Sequence, residues 1–153
     1  AAWALGRAED CVKHGVPVLP MPEKLFDGLV DEEVEVRWRS EISAALREHG
    51  VAMAAIARRE IVRQIDPCLL VSTLSRVCAG VAVENHVGSL LLEGGATASA
   101  LFEVQGWNRF DAYSPVAPGV AVLSPVGLPG VAPLLFIKPG SYAWPAAVWP
   151  EKV

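Results

Sequence analysis

Two short stretches combine residue types that could hold a phosphate. The first is Leu90-Leu91-Leu92-Glu93-Gly94-Gly95-Ala96-Thr97-Ala98-Ser99-Ala100-Leu101, an apolar run that stops at two glycines and passes at once into a helix-forming segment. A strand that ends in Gly-Gly and opens a helix leaves unpaired backbone N–H groups at a positive dipole end, a ready seat for an anion. Thr97 falls in the first helical turn, where its hydroxyl could reach a phosphate oxygen or a metal-bound water. The second stretch is Leu134-Leu135-Phe136-Ile137-Lys138-Pro139-Gly140-Ser141-Tyr142, a strand-like run ending in a lysine and a glycine turn. Lys138 could meet a phosphate as a point charge while the backbone near Gly140 and Ser141 approaches closely. Taken singly, each has a plain alternative: a tight strand–helix turn, and a solvated lysine at an ordinary turn. Together they point to nucleotide binding.

Other chemistry finds less support. No Gly-x-x-x-x-Gly-Lys-Ser/Thr loop and no Gly-x-Gly-x-x-Gly run occurs, and Ser99 and Ser141 lack a nucleophile-elbow context. His14, His49 and His86 each fall near a glycine at a predicted helix end, no two at metal-ligand spacing, and read as partners of the helix dipole. The five tryptophans, Trp3, Trp38, Trp107, Trp144 and Trp149, read as packing anchors rather than a base-stacking platform.

The elements that must position the glycine loops follow one grammar. Helix-like 1–14 ends at Gly15 and strand-like 16–19 follows; helix 33–49 ends at Gly50 and strand 51–57 follows. Helix 67–86 ends near Gly88 and strand 89–93 follows; helix 97–105 ends at Gly106 and strand 107–113 follows. A glycine just past the last turn supplies a left-handed C-cap. In the second helix Val34, Trp38, Ile42, Ala45 and Leu46 form one stripe; in the third, Asp66-Pro67 caps and Leu70, Leu74, Val77, Cys78 and Val81 line up. This alternation predicts an α/β fold: a mostly parallel sheet flanked by helices on both faces, Rossmann-like and three-layered, with a Pro/Gly-rich strand extension at its C-terminal end.

Composition bounds the reading. The chain has 153 residues, enough for one domain with a substantial core, and is 52% hydrophobic, which argues against disorder. A net charge of −4, with no basic block, speaks against a nucleic-acid or anionic-membrane surface. Cys11, Cys68 and Cys78 form no Cys-x-x-Cys pair and read as reduced, buried thiols of a cytoplasmic protein. Residues 115–137 carry no charge and match a membrane span in length. However, Pro115, Pro118, Pro125, Pro129 and Pro133, with Gly119, Gly127 and Gly130, break any helix there into short strands and turns. The chain begins without methionine, inside a helix-like segment, and is expected to be a piece of a longer polypeptide.

The order Glu93-Gly94-Gly95-Ala96-Thr97-Ala98, Gly106-Trp107, Ala117-Pro118-Gly119-Val120 and Lys138-Pro139-Gly140-Ser141-Tyr142 resembles the C-terminal nucleotide-binding domain of the four-carbon acid sugar kinases, formerly a domain of unknown function. Residues 90–142 carry the match; residues 1–89 follow it in element order and length. The resemblance implies an ATP-binding domain, residues 1–153, of an enzyme that phosphorylates acids such as threonate, erythronate or 3-oxo-tetronate. The family's Gly-Gly-Asp-Thr loop falls on Gly94, Gly95, Ala96 and Thr97, its Pro-Gly-Val turn on Pro118, Gly119 and Val120, and its Lys-Ser-Gly loop on Lys138, Pro139 and Gly140, followed by Ser141. Ala96 replaces a common aspartate, Pro139 a serine, and Ala143 stands where a further glycine is frequent. The family domain opens with a strand before its first helix, and its substrate domain lies N-terminal; this chain contains neither.

The resemblance thus implies ATP and Mg2+ as cofactors, bound by Gly94, Gly95, Ala96, Thr97, Gly119, Lys138, Gly140 and Ser141, with no catalytic residue and no metal ligand in this chain. The implied partners are ATP and the N-terminal sugar-acid-binding domain of the same polypeptide, with neither nucleic acid nor membrane, and with a homodimer left open. Two alternatives stand beside the kinase reading: a non-catalytic nucleotide- or anion-binding module, and a structural α/β interaction domain.

Overall fold

The computed structural model describes residues 9–27, 30–56, 66–140 and 142–150. They fall into two compact units, Ala1–Asn85 with Pro150–Val153 and His86–Trp149.

The first unit is held by two long helices. Helix α1, Glu32–His49, starts where the Asp31 side chain accepts a hydrogen bond from the Val34 N–H at 3.1 Å. Glu32, Glu33 and Glu35 occupy its first turn and Arg47 and His49 its last, each suited to the dipole there. Gly50 ends it at φ 70°, its N–H donating to the Leu46 carbonyl. Helix α2, Pro67–Glu84, is capped by Asp66, whose side chain accepts from the Cys68 N–H at 2.9 Å. Val34, Trp38 and Ile42 from α1 meet Leu74, Val77 and Val81 from α2 in one core. Although α2 is long and apolar enough by composition to cross a membrane, these residues of it are packed inside the unit. The unit also holds two short parallel strands, β1 (Val18–Pro20) and β2 (Met53–Ala55), with Val18 opposite Met53.

Two expectations change here. The end of α2 is not set by Gly88: Asn85 caps it, donating from Nδ2 to the Val81 carbonyl at 2.8 Å, and His86 takes φ 50° just beyond. A short polar side chain that satisfies a terminal carbonyl can replace the glycine. His86 therefore lies past the last turn, whereas His49 is the final residue of α1. The cysteines are not uniformly buried either. Cys11 is buried, Cys78 is partly buried against the core, and Cys68, in the first turn of α2, is exposed because that turn projects beyond the packed stripe. Of the predicted helix 1–14, residues 9–13 are helical and His14 lies in the turn that follows; residues 1–8 lie outside the described residues.

Burial pushes the Cys78 thiol up to about 12. A pKa raised on folding means that the unfolded chain loses this proton first, so stability is expected to fall as pH rises from about 9 toward 12. At pH 8 a maleimide should label Cys68 promptly, with Cys11 and Cys78 following only on unfolding. Equal labelling rates for all three would contradict this.

The second unit is a four-stranded sheet with one helix. β3 (Ser89–Glu93) leads into α3 (Gly95–Gln105), which packs on β3 and β6; then come β4 (Phe110–Ala117), β5 (Val120–Pro125) and β6 (Leu134–Lys138). The order in the sheet is β3-β6-β5-β4. The α/β class holds, but only β3 and β6 run parallel in this sheet; β5 is antiparallel to both β6 and β4. The departure from a mostly parallel sheet lies in the Pro/Gly-rich segment. Pro118-Gly119, in the order that suits a type II turn and with Gly119 at φ 80°, reverses the chain between Ala117 and Val120. Residues 115–137 accordingly contribute to strands. β4 forms an edge that is exposed along most of its length, and Pro115 and a register shift between Tyr113 and Ala117 interrupt its pairing. Gly106 closes α3 in the left-handed conformation, and the Phe102 ring, tilted by 42° with its centroid 4.6 Å from that of Phe110, ties the helix end to β4.

Candidate functional site

Strand register gathers the glycine turns. Glu93 pairs with Lys138 in the parallel β3–β6 ladder, so both strands finish at one end of the sheet. Antiparallel β5, with Ala121 opposite Ile137, brings its first residues and the Pro118-Gly119 turn to that same end. Gly94-Gly95, Gly119 and Pro139-Gly140 thus share the carboxyl end of β3 and β6, the position at which α/β sheets bind ligands.

The two glycines of the first turn have different tasks. Gly94 takes φ 91° as the N-cap of α3, and its N–H is already used, donating to the Lys138 carbonyl at 2.9 Å. Gly95 is the first helical residue with ordinary φ, and a Cβ built on it would meet nothing within 4 Å. Helical geometry leaves the N–H groups of Gly95, Ala96 and Thr97 without intrahelical acceptors, and the glycine cap offers no side chain to take them. Thr97 Oγ1 lies 3.9 Å from where a Gly94 Cβ would stand, on the side of the turn. Gly95 and Ala96 are exposed and Thr97 half-buried, so a polyanion has room and donors here. Gly140 lies in a turn closed by the Tyr142 N–H on the Pro139 carbonyl; Ser141 falls outside the described residues.

Lys138 departs most from expectation. It is not a solvated lysine: the residue is 1% exposed. Its Nζ lies 2.9 Å from Glu93 Oε2 and donates to the Pro139 carbonyl at 3.3 Å. Trp144 covers the pair, its Nε1 donating to the same Glu93 oxygen at 3.0 Å and its ring centroid 4.9 Å from Nζ. The physical cause is simple. An ammonium at the end of a buried strand requires a counter-charge, and parallel register sets Glu93 beside it.

Glu93 and Trp144 are the residues that sequence reasoning missed as part of the site. A signal was present: the two apolar runs Leu-Leu-Leu-Glu and Leu-Phe-Ile-Lys end in opposite charges at equivalent positions. If the strands pair in parallel, those charges meet. Trp144, expected as a packing anchor, also serves as a hydrogen-bond donor.

In the first unit, an open groove of about 240 Å³ is lined by Arg39, Ser43, Arg47, Glu84 and Asn85, among others. Its polar groups satisfy one another: Asn85 donates to Ser43 at 2.9 Å, Arg47 reaches Asn85 at 3.4 Å, and Arg39 pairs with Glu84 at 3.3 Å. Among the described residues no group of three or more His, Cys, Asp or Glu side chains could hold a metal ion.

No family model and no curated protein matches the chain. Solved structures do. A DUF1537 domain of Bordetella bronchiseptica, a domain-swapped dimer with bound citrate, superposes with TM-scores of 0.72 and 0.67 in two crystal forms, at 19% and 16% identity. These matches cover 92% and 93% of this chain, and 35% and 33% of the Bordetella chains. A DUF1537 protein of Haemophilus influenzae superposes with a TM-score of 0.67 at 18% identity, over 90% of this chain and 34% of that one. The chain spans about a third of the length of the structures it matches, and over that third it has the fold of the DUF1537 proteins.

Proposed function

We propose that the His86–Trp149 unit binds the phosphates of ATP, and that the chain is the nucleotide-binding part of a kinase for a four-carbon sugar acid. The observation that carries this reading is the gathering of Gly94-Gly95, Gly119 and Gly140 at the carboxyl end of β3 and β6, beside the open N-terminus of α3. The shared fold with DUF1537 proteins supports it. The N–H groups of Gly95, Ala96 and Thr97 would cradle phosphate oxygens, with the Thr97 hydroxyl beside them. Mg2+ bound through the phosphates would neutralise their charge and retain several waters, which accords with the lack of a carboxylate at Ala96. Phosphoryl transfer needs mainly positioning and charge neutralisation, and the acid substrate would sit on the N-terminal domain of the longer polypeptide. A cytoplasmic location and a homodimer belong to the same proposal.

The buried Lys138 favours a second reading, a nucleotide- or anion-binding module without turnover, because its charge is already matched by Glu93. Binding and turnover separate the two. Millimolar ATP with Mg2+ should raise the unfolding midpoint measurably, since a ligand at 100 times its Kd stabilises by about 2.7 kcal/mol, whereas adenosine should not. No shift with ATP would contradict both readings. A coupled assay with threonate and erythronate on a polypeptide that includes the substrate domain then decides between kinase and binding module.

A further inference from the structure

The Lys138 ammonium stands at the sheet end where the glycine turns meet, yet it faces a carboxylate of its own chain. Glu93 Oε2 receives two donors, Lys138 Nζ at 2.9 Å and Trp144 Nε1 at 3.0 Å, and the Trp144 ring lies over the ammonium. Glu93 immediately precedes Gly94, and the Gly94 N–H is bonded to the Lys138 carbonyl, so this cluster is continuous with the turn that opens α3. A carboxylate here acts on an incoming phosphate in two ways. It cancels the cation that would attract the phosphate, and it adds a negative charge on the residue just before the Gly94 N-cap. The Trp144 hydrogen bond holds that carboxylate in place.

We infer that Glu93, latched by Trp144, is an autoinhibitory contact: an internal anion that occupies Lys138 and holds the phosphate site in a low-affinity state. This rests on the reading that the site binds phosphate groups. An anion gains Lys138 only when the Glu93 carboxylate gives it up, so removing that carboxylate should increase affinity.

The test measures binding of inorganic tripolyphosphate and of ATP, each with Mg2+, to the full chain by calorimetry. Glu93→Gln keeps the size of the side chain and an acceptor for Trp144 while removing the charge. It should bind both ligands roughly tenfold more tightly than the parent at low salt, and the gain should vanish in Glu93→Gln/Lys138→Met. Equal affinity in parent and Glu93→Gln, or a gain that persists without Lys138, overturns the latch. If the parent binds ATP and Glu93→Gln gains nothing, the nucleotide reading stands and the latch falls. If Glu93→Gln gains for tripolyphosphate but ATP does not bind to parent or variant, the latch stands and the nucleotide reading falls. No binding in any folded variant overturns both. Should Glu93→Gln fail to fold, Trp144→Phe removes the indole donor and keeps a ring over Lys138; a smaller gain in the same direction supports the latch, and no gain overturns it.

Discussion

Replacing Lys138 with alanine is expected to destabilise the His86–Trp149 unit by about 3–5 kcal/mol, the usual cost of removing one partner from a buried ion pair. The Lys138 side chain is 0% exposed and that of Glu93 13%, so alanine leaves Glu93 largely shielded from water without its nearest cation. It also leaves a void beneath Trp144. Urea unfolding followed by far-UV circular dichroism would measure the loss. The double variant Lys138→Met/Glu93→Leu removes both charges and fills the space, and should recover most of the stability, because a buried pair gains little over well-packed apolar residues. Trp144 Nε1 then turns to solvent, since the residue is only half-buried. A single-variant cost below about 1 kcal/mol would place the pair in the class of surface salt bridges and contradict its burial.

Gly95→Val is expected to reduce ATP affinity by a factor on the order of 100 or more while the chain folds with unchanged stability. Gly95 has ordinary φ and its missing Cβ faces open space, so valine strains no backbone and meets no neighbour. In a helix valine is slightly better tolerated than glycine. The added methyl groups would stand where a phosphate must approach the first-turn N–H groups. The neighbouring position cannot serve this test, because Gly94 is the one at φ 91°, and any side chain there is strained whether or not ligand binds. Gly106→Val is the control. At φ 67° it should cost roughly 1–2 kcal/mol of stability yet keep ATP affinity, since it lies at the far end of α3, about 16 Å along the helix. ATP binding that survives Gly95→Val would remove the α3 N-terminus from the site.

Short-range features of this fold were legible in the residues themselves. The Asp66-Pro67 cap, the left-handed ends at Gly50 and Gly106, the stripe of Val34, Trp38 and Ile42, and strand Ser89–Glu93 all depend on contacts within about a turn or on simple periodicity. Such signals act before any tertiary partner is present. Where such signals compete, tertiary context decides. Asn85 capped α2 in place of a glycine, and strand β4 began three residues beyond Trp107. The positions of Gly94-Gly95, Gly119 and Lys138 at loop or strand ends were equally visible, although not which of the two glycines would carry the positive φ.

What no local pattern contained was partner choice. Whether β6 lies parallel to β3 and antiparallel to β5 is a question of which strands meet, and that arrangement brings Gly119 to the same end as Gly94. The fate of Lys138 follows from the same register. A lysine before Pro-Gly reads as exposed in its own segment, and becomes a buried, neutralised group only when the parallel ladder places Glu93 opposite it and Trp144 closes over both. Charge at the site therefore depends on pairing between residues distant in the chain. Burial gives that pairing its weight, because a charge shielded from water must find its counter-charge in the fold rather than in the solvent.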